Sequence, residues 1–137
     1  MQNNIFVDAD ALVAISDIND SNHKKALELA ALLKEEGLGL YISSFAFGEA
    51  VTVASQNVSL KKAVELGEDI QRGMCSIIEV NTKHIVKAFK MFSKQTSKNS
   101  RFTDMVNMVL MDELKIDTIF SFDNHYSKNG YKLLGIK

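Results

Sequence analysis

The chain has 137 residues, 46% of them hydrophobic and 24% charged, with no proline and a formal net charge of -1. That composition excludes a disordered chain, and the length suffices to bury one core without disulfides or structural metal, so a single domain over 1–137 is expected. A lone cysteine, Cys75 in the apolar run CSIIEV, excludes an intrachain disulfide and reads as an inert buried thiol. No stretch approaches the ~18 apolar residues of a membrane span, and Asp8 and Asp10 interrupt the run a signal peptide would need, so a cytoplasmic protein is expected.

The first strand is NIFVD, residues 4–8, followed by a short helix over ALVAIS. A longer helix runs from about Asn22 to Glu36, started by Asp20 or Ser21 and stopped by Gly37. The second strand is LGLYI, 38–42, after which Ser43 or Ser44 caps a helix through FAFGEAVTVAS. Ser59 caps the next, LKKAVELGEDIQR, which ends at Gly73. CSIIEV, 75–80, is the third strand, and Thr82 caps a helix to about Gln95. Thr103 opens a helix to Lys115, and strands follow at 117–122 and 132–136. Strands alternating with helices imply parallel pairing, because parallel neighbours need a long crossover. The expected architecture is an α/β/α three-layer sandwich around a mainly parallel sheet.

Crossover topology sends strand C-termini and the starts of the following helices to one edge of the sheet, where open α/β proteins bind ligands. Asp8 ends the first strand there, Glu49 lies early in the helix after the second, and Asp123 follows the fourth. Asp104 reaches the same edge if the Thr82–Gln95 helix carries the chain away by ~20 Å and residues 96–102 bring it back. Four carboxylates drawn together repel one another unless a proton or a cation intervenes. Hard oxygen ligands suit Mg²⁺ or Mn²⁺, and without a His or Cys cluster at ligand spacing zinc is not expected. Such a site polarises a phosphoryl oxygen and lowers the pKa of a bound water. Taken singly, Asp10 and Asp104 also read as residues favoured by a helix dipole, and Asp123 as a turn residue. None of these readings accounts for Glu49 within the largely apolar SSFAFGEAVTV.

The segments IFVDADALVA, SSFAFGEA, RFTDMVNM and FSFDNHY resemble, in order and interval, the four signature segments of PIN-domain nucleases, most closely the small VapC-type toxin ribonucleases. The resemblance implies a parallel sheet flanked by helices, and catalytic, metal-holding acids at Asp8, Glu49, Asp104 and Asp123 with Mg²⁺ or Mn²⁺. It places supporting hydroxyls at Thr103 and Ser121. It also implies an RNA substrate, a cognate antitoxin and a homodimer. Two departures stand out. Asp10 occupies a position where Asn or Ser is commoner, which adds a ligand or a supporting carboxylate, and His125 and Tyr126 replace a more usual charged residue and Phe.

Between Glu79 and Asp104 there is no acid, but there are Lys83, Lys87, Lys90, Lys94, Lys98 and Arg101. Those six of the 16 basic residues leave 10 for the rest of the chain against 17 acids. The first four fall on one helical stripe, which reads either as a solvated face or as a track for a phosphate backbone, with Ile85, Val86, Phe89 and Phe92 expected to face the core. His23 and His84 read as surface helix residues, His125 as a turn residue before a group that orients a water or a phosphate, and Met105, Met108 and Met111 as packing or interface residues. The leading function is a divalent-metal-dependent endoribonuclease, the toxin of a toxin–antitoxin pair. Two alternatives stand beside it: a haloacid-dehalogenase-like phosphatase with Asp8 as nucleophile, suggested by VDADAL, and a PIN-like module that binds RNA or protein without cutting.

Overall fold

The computed structural model describes residues 4–134. Its strands are β1 (Asn4–Val7), β2 (Gly39–Ser43), β3 (Ser76–Ile78), β4 (Thr118–Phe120) and β5 (Lys132–Leu133). They form one sheet in the order β3-β2-β1-β4-β5, every neighbouring pair parallel. Residues 135 and 136 of the last expected strand lie outside the described residues. The helices are α1 (Ala9–Ser16), α2 (His23–Glu36), α3 (Ser44–Asn57), α4 (Leu60–Asp69), α5 (Thr82–Ser93), α6 (Phe102–Leu114) and α7 (His125–Lys128). None of them is long and apolar enough to cross a membrane.

Pleating of the central strand divides the core. Ile5 and Val7 join Leu12, Leu29, Leu33, Ala46 and Ala50 on the α1–α4 face, while Phe6 joins Met105, Met108, Leu110 and Met111 of α6 on the other. Crossovers from β1 proceed outward through β2 to β3, and the chain then returns to the other side of β1 as β4. Strand order therefore reverses between β1 and β4, and their carboxyl ends open a crevice at that point.

Local signals explain several boundaries. The hydroxyl of Ser43 accepts the Ala46 N–H at 2.9 Å and that of Ser59 the Lys62 N–H at 3.1 Å, both as N-caps. Gly37, at φ 64°, closes α2 in the left-handed conformation that glycine adopts without penalty. Cys75 is buried, and desolvation pushes its thiol up to about 12, as an inert cysteine requires. The helix expected to end at Gly73 instead stops at Asp69 and continues as a wide turn, Ile70–Met74, in which Gly73 takes φ 120°.

Around α5 and α6 the structure corrects the sequence-based expectation. Asn22 and Asn81, rather than Asp20 or Ser21 and Thr82, stand at the caps of α2 and α5, and Arg101 precedes α6. No return path across the sheet is needed for Asp104, because α5 and α6 form an antiparallel pair. Phe92 at the end of α5 packs edge-on against Phe102 at the start of α6, with ring centroids 5.9 Å apart. At the other end His84 reaches Glu113, Nε2 to Oε2 2.9 Å. His84 is therefore not a surface residue. Its Nδ1 accepts the Asn81 N–H at 3.1 Å while Asn81 Oδ1 accepts the His84 N–H at 3.0 Å, a reciprocal cap. Because Nδ1 accepts, the proton of the neutral ring belongs on Nε2, where Glu113 receives it.

Nor do Ile85, Val86, Phe89 and Phe92 face the core. They are 37%, 52%, 60% and 39% exposed, and α5 is buried through His84 and Ala88. Helical periodicity reveals that an apolar side exists, but whether the same chain covers it depends on where the next helix lies. Replacing His84 by Ala removes a cap and an interhelix hydrogen bond together and should destabilise the protein by about 1–2 kcal/mol in urea unfolding at fixed protein concentration. A loss below ~0.3 kcal/mol would mean that the contact is incidental.

Candidate active site

The site grows from Asp8. Its backbone N–H still belongs to the sheet, donating to Phe120 O at 3.0 Å, but its side chain turns back to cap α1, with Oδ1 accepting the Ala9 N–H at 2.8 Å. The residue is only 4% exposed. Its other partners come from distant parts of the chain: the Ser121 hydroxyl donates to Oδ2 at 3.1 Å and the Asn107 amide to Oδ1 at 3.3 Å. Two residues on, Asp10 holds the segment after β4, its Oδ2 accepting the Phe122 N–H at 2.9 Å and sharing with Asp8 the one proton of the Ser121 hydroxyl, 3.3 Å away. Asp10 thus sits in the crevice as a supporting carboxylate, and its Oδ1 is buried without a partner.

Asp104, in the first turn of α6, is 2% exposed. Its Oδ1 accepts the Tyr126 hydroxyl at 3.2 Å, and its Oδ2 is buried with no hydrogen-bond partner. Asp123 follows β4, with its N–H donated to Ser121 Oγ at 3.1 Å and its Oδ1 accepting the His125 N–H at 2.9 Å. One ligating atom each from Asp104, Asp123 and His125 lies within 4.8 Å of the others. Glu49 stands apart from that group: its Oε2 receives Arg101 Nη1 at 3.0 Å. Thr103 is half-buried beside Asp104 and makes no hydrogen bond to the acids. Lys83, Lys87, Lys90, Lys94 and Lys98 are all exposed, and the part-exposed Arg101 alone of the basic series lines the crevice.

Two residues outside the expected set organise the acids. Asn107, completely buried, accepts the Ser43 hydroxyl on Oδ1 at 2.8 Å and donates from Nδ2 to Asp8 and, at 3.0 Å, to the Tyr126 hydroxyl oxygen. Ser43 already accepts the Ala46 N–H, so its own proton is free for Asn107, and the amide orientation follows. Tyr126, also completely buried, accepts from Asn107 and donates to Asp104. A directed chain from β2 through α6 and α7 thereby sets the donors around Asp8 and Asp104. Two signals pointed here: Asn107 is the one polar residue in the apolar run MVNMVLM, one turn after Asp104, and Tyr126 carries a hydroxyl where the family pattern has Phe.

These contacts do not offset the crowding. Desolvation, then Asp10 and Asp104, raise the Asp8 pKa well above the usual carboxylate range. Burial raises Asp10 to about 6, with a smaller push from Asp123. Burial and then Asp123 raise Asp104 to about 7. Arg101 loses charge stability to partial burial, but Glu49, Asp104, Asp8 and Asp123 outweigh that and raise its pKa. The crevice is thus short of positive charge, with two buried carboxylate oxygens unclaimed. Hard oxygen donors that are hydrogen-bonded on one side and bare on the other fit a divalent cation.

A parallel sheet in this strand order, with acids converging at its switch point, defines an α/β protein of PIN type. Residues 5–130 match the PIN domain family, and the chain belongs to it. Its fold is similar to the crystal structure of Mycobacterium tuberculosis VapC20, a sarcin-ricin loop cleaving toxin, with a TM-score of 0.84 over 93% of this chain and 95% of that one at 20% identity. No curated protein sequence matches it.

Asp104 provides a pH test. Its folded pKa of about 7 lies above the ordinary 3.8, so the folded state binds the proton more tightly than the unfolded state. The resulting penalty is absent below the unfolded value, grows as pH rises towards 7 and is complete above it. Asp104→Asn should stabilise chelator-treated protein at pH 7.5 by on the order of 1 kcal/mol or more, with the gain vanishing near pH 3.5. Thermal melts at the two pH values check this, and a mutant that melts lower at both would make Asp104 a structural helix residue.

Proposed function

We propose that the protein is a divalent-metal-dependent endoribonuclease working in the cytoplasm as the toxin of a toxin–antitoxin pair, its single domain spanning the chain. The observation that carries this reading is the unclaimed Asp104 Oδ2 inside a group of carboxyls whose proton affinity is raised by burial and, after it, by their mutual repulsion. Family membership supports phosphodiester hydrolysis, and the toxin named among similar folds supports RNA as the substrate. It also favours this reading over the phosphatase one.

Asp8, Asp104 and Asp123 would hold Mg²⁺ or Mn²⁺, with Glu49 as the fourth acid. Bound there, such an ion supplies positive charge to a phosphoryl oxygen and acidifies a water. The chain's own part is positional. Ser121 and Asn107 fix Asp8, Tyr126 fixes one oxygen of Asp104, and Asp10 holds the Ser121–Phe122 backbone on which Asp123 is mounted. Arg101, at the crevice, would serve as a cation for the scissile strand, and the exposed lysines of α5 would hold the flanking backbone without reading its sequence.

The exposed Ile85, Val86, Phe89 and Phe92 support a homodimer, since a helix side of that apolarity on a free monomer invites a second copy. An antitoxin would silence the site with a basic side chain, for which an Arg fork suits paired carboxylate oxygens.

Purified protein should cleave single-stranded or loop RNA with Mn²⁺ or Mg²⁺ and stop in excess chelator. Asp8→Asn, Glu49→Gln, Asp104→Asn and Asp123→Asn should each lower kcat/KM by about 100-fold or more, and Asp10→Asn by less. Cleavage by a homogeneous preparation in chelator would refute the metal-dependent reading. Replacing Lys87 and Lys90 by Gln should flatten the slope of log binding affinity against log salt by about 1.4, at ~0.7 for each single-strand phosphate no longer neutralised. An unchanged slope would make the stripe an ordinary solvated face. Phe89→Glu should convert a dimer to a monomer in sedimentation; a wild type already monomeric at micromolar concentration would remove the dimer.

A further inference from the structure

Read from sequence, His125 is a turn residue before it is a group that orients a water or a phosphate. In the structure its ring belongs to the acid group. The His125 Nδ1 atom lies 2.9 Å from Asp123 Oδ1, yet it is buried and is not aligned for a hydrogen bond with that oxygen or any other. The same Asp123 oxygen instead accepts the His125 backbone N–H, which leaves the ring nitrogen beside the carboxylate rather than bonded to it. Asp104, 2% exposed and with its Oδ2 unpartnered, offers a carboxylate oxygen to the same group.

An imidazolium–carboxylate pair would account for the closeness of His125 and Asp123, but it would leave the Asp104 oxygen without a partner. A shared ion accounts for both. Two ligands held ~2.1 Å from one cation at a right angle lie about 3 Å apart, with no need for a proton along the line between them. The His125 backbone N–H also anchors the Asp123 carboxylate before any ion arrives, so little of that side chain's freedom would be lost on binding.

We propose that His125 Nδ1 is a metal ligand alongside Asp104 and Asp123, and that this imidazole makes the site selective for a first-row transition ion such as Mn²⁺ over Mg²⁺. The inference rests on the metal-site reading above and narrows it. Mg²⁺ demands oxygen ligands in near-ideal octahedral geometry, whereas imidazole suits the transition divalents, whose affinity rises with nitrogen in the donor set. A site of four carboxylates alone would have no such preference built into it beyond the general order of ion affinities.

The test titrates Mn²⁺ and Mg²⁺ separately into chelator-treated wild type, His125→Gln and Asp104→Asn, reading the rise in melting temperature, and records pulsed electron paramagnetic resonance of the Mn²⁺-bound wild type. Directly coordinated imidazole nitrogen should appear as hyperfine coupling in the wild type and be absent in His125→Gln. His125→Gln should weaken Mn²⁺ on the order of tenfold while changing Mg²⁺ by less than about threefold, and Asp104→Asn should weaken both. Bound Mn²⁺ without nitrogen coupling in the wild type, or equal weakening of the two ions in His125→Gln, would overturn the assignment of His125 while leaving the carboxylate site standing. Should the wild type bind neither ion, or Asp104→Asn bind both unchanged, the metal site itself falls and this inference with it. The wild-type spectrum does not depend on any variant folding.

Discussion

A carboxylate buried at the end of the central strand is the constraint around which this protein is arranged. Asp8 cannot be withdrawn from water unless donors meet it, and those donors come from Ala9 in α1, Ser121 after β4 and Asn107 in α6. Satisfying one side chain therefore ties both faces of the sheet to its central strand. Asn107 extends the tie to Ser43 at the end of β2 and to Tyr126 in α7. The polar network and the apolar core are not alternatives here. Met105, Met108 and Leu110 press α6 onto the sheet, and that packing brings Asn107 and Asp104 to the carboxyl edge.

The network stops short of neutrality. Every donor to Asp8 and Asp104 is an uncharged group, and of the two cations that line the crevice, Arg101 and Lys128, Arg101 is engaged by Glu49. Asp8, Asp10 and Asp104 are consequently held with raised proton affinity. Folded chains seldom tolerate this away from functional sites, because a raised carboxylate subtracts from stability at neutral pH. The same deficit of positive charge is what makes a cation welcome. Preorganisation and instability are thus one property of the site seen from two sides.

On α5 a different compromise holds. The helix carries a lysine stripe, an apolar side open to solvent and a narrow buried strip of His84 and Ala88. A small alanine lets α6 approach, and the reciprocal cap between His84 and Asn81 uses up the ring nitrogen that would otherwise be an unsatisfied acceptor. The helix is consequently anchored by little apolar area of its own, which frees its remaining surface for partners.

What the sequence determined by itself was local or periodic. Gly37 ends α2, Ser43 and Ser59 start α3 and α4, the strands alternate with helices, and Asp8 and Asp123 follow strands at the carboxyl edge of the sheet. These are short-range consequences of backbone hydrogen bonding, dihedral preference and the handedness of parallel connections, so they can be read in order along the chain. Which polar atoms meet was decided only by tertiary structure. His84 looked like a solvent-facing position and His125 like part of a turn or a group orienting a water or a phosphate, while Asn107 showed only as a lone polar residue in an apolar run. Asn107 acquires its role from Ser43 and Tyr126, His84 from Glu113, and His125 from an acid group completed by Asp104 on another helix. The exposure of Phe89 was likewise invisible, since an amphipathic pattern records that a helix has an apolar side but not whether its own chain covers it. Both kinds of information are physical, but the first is carried by neighbours in sequence and the second by neighbours in space.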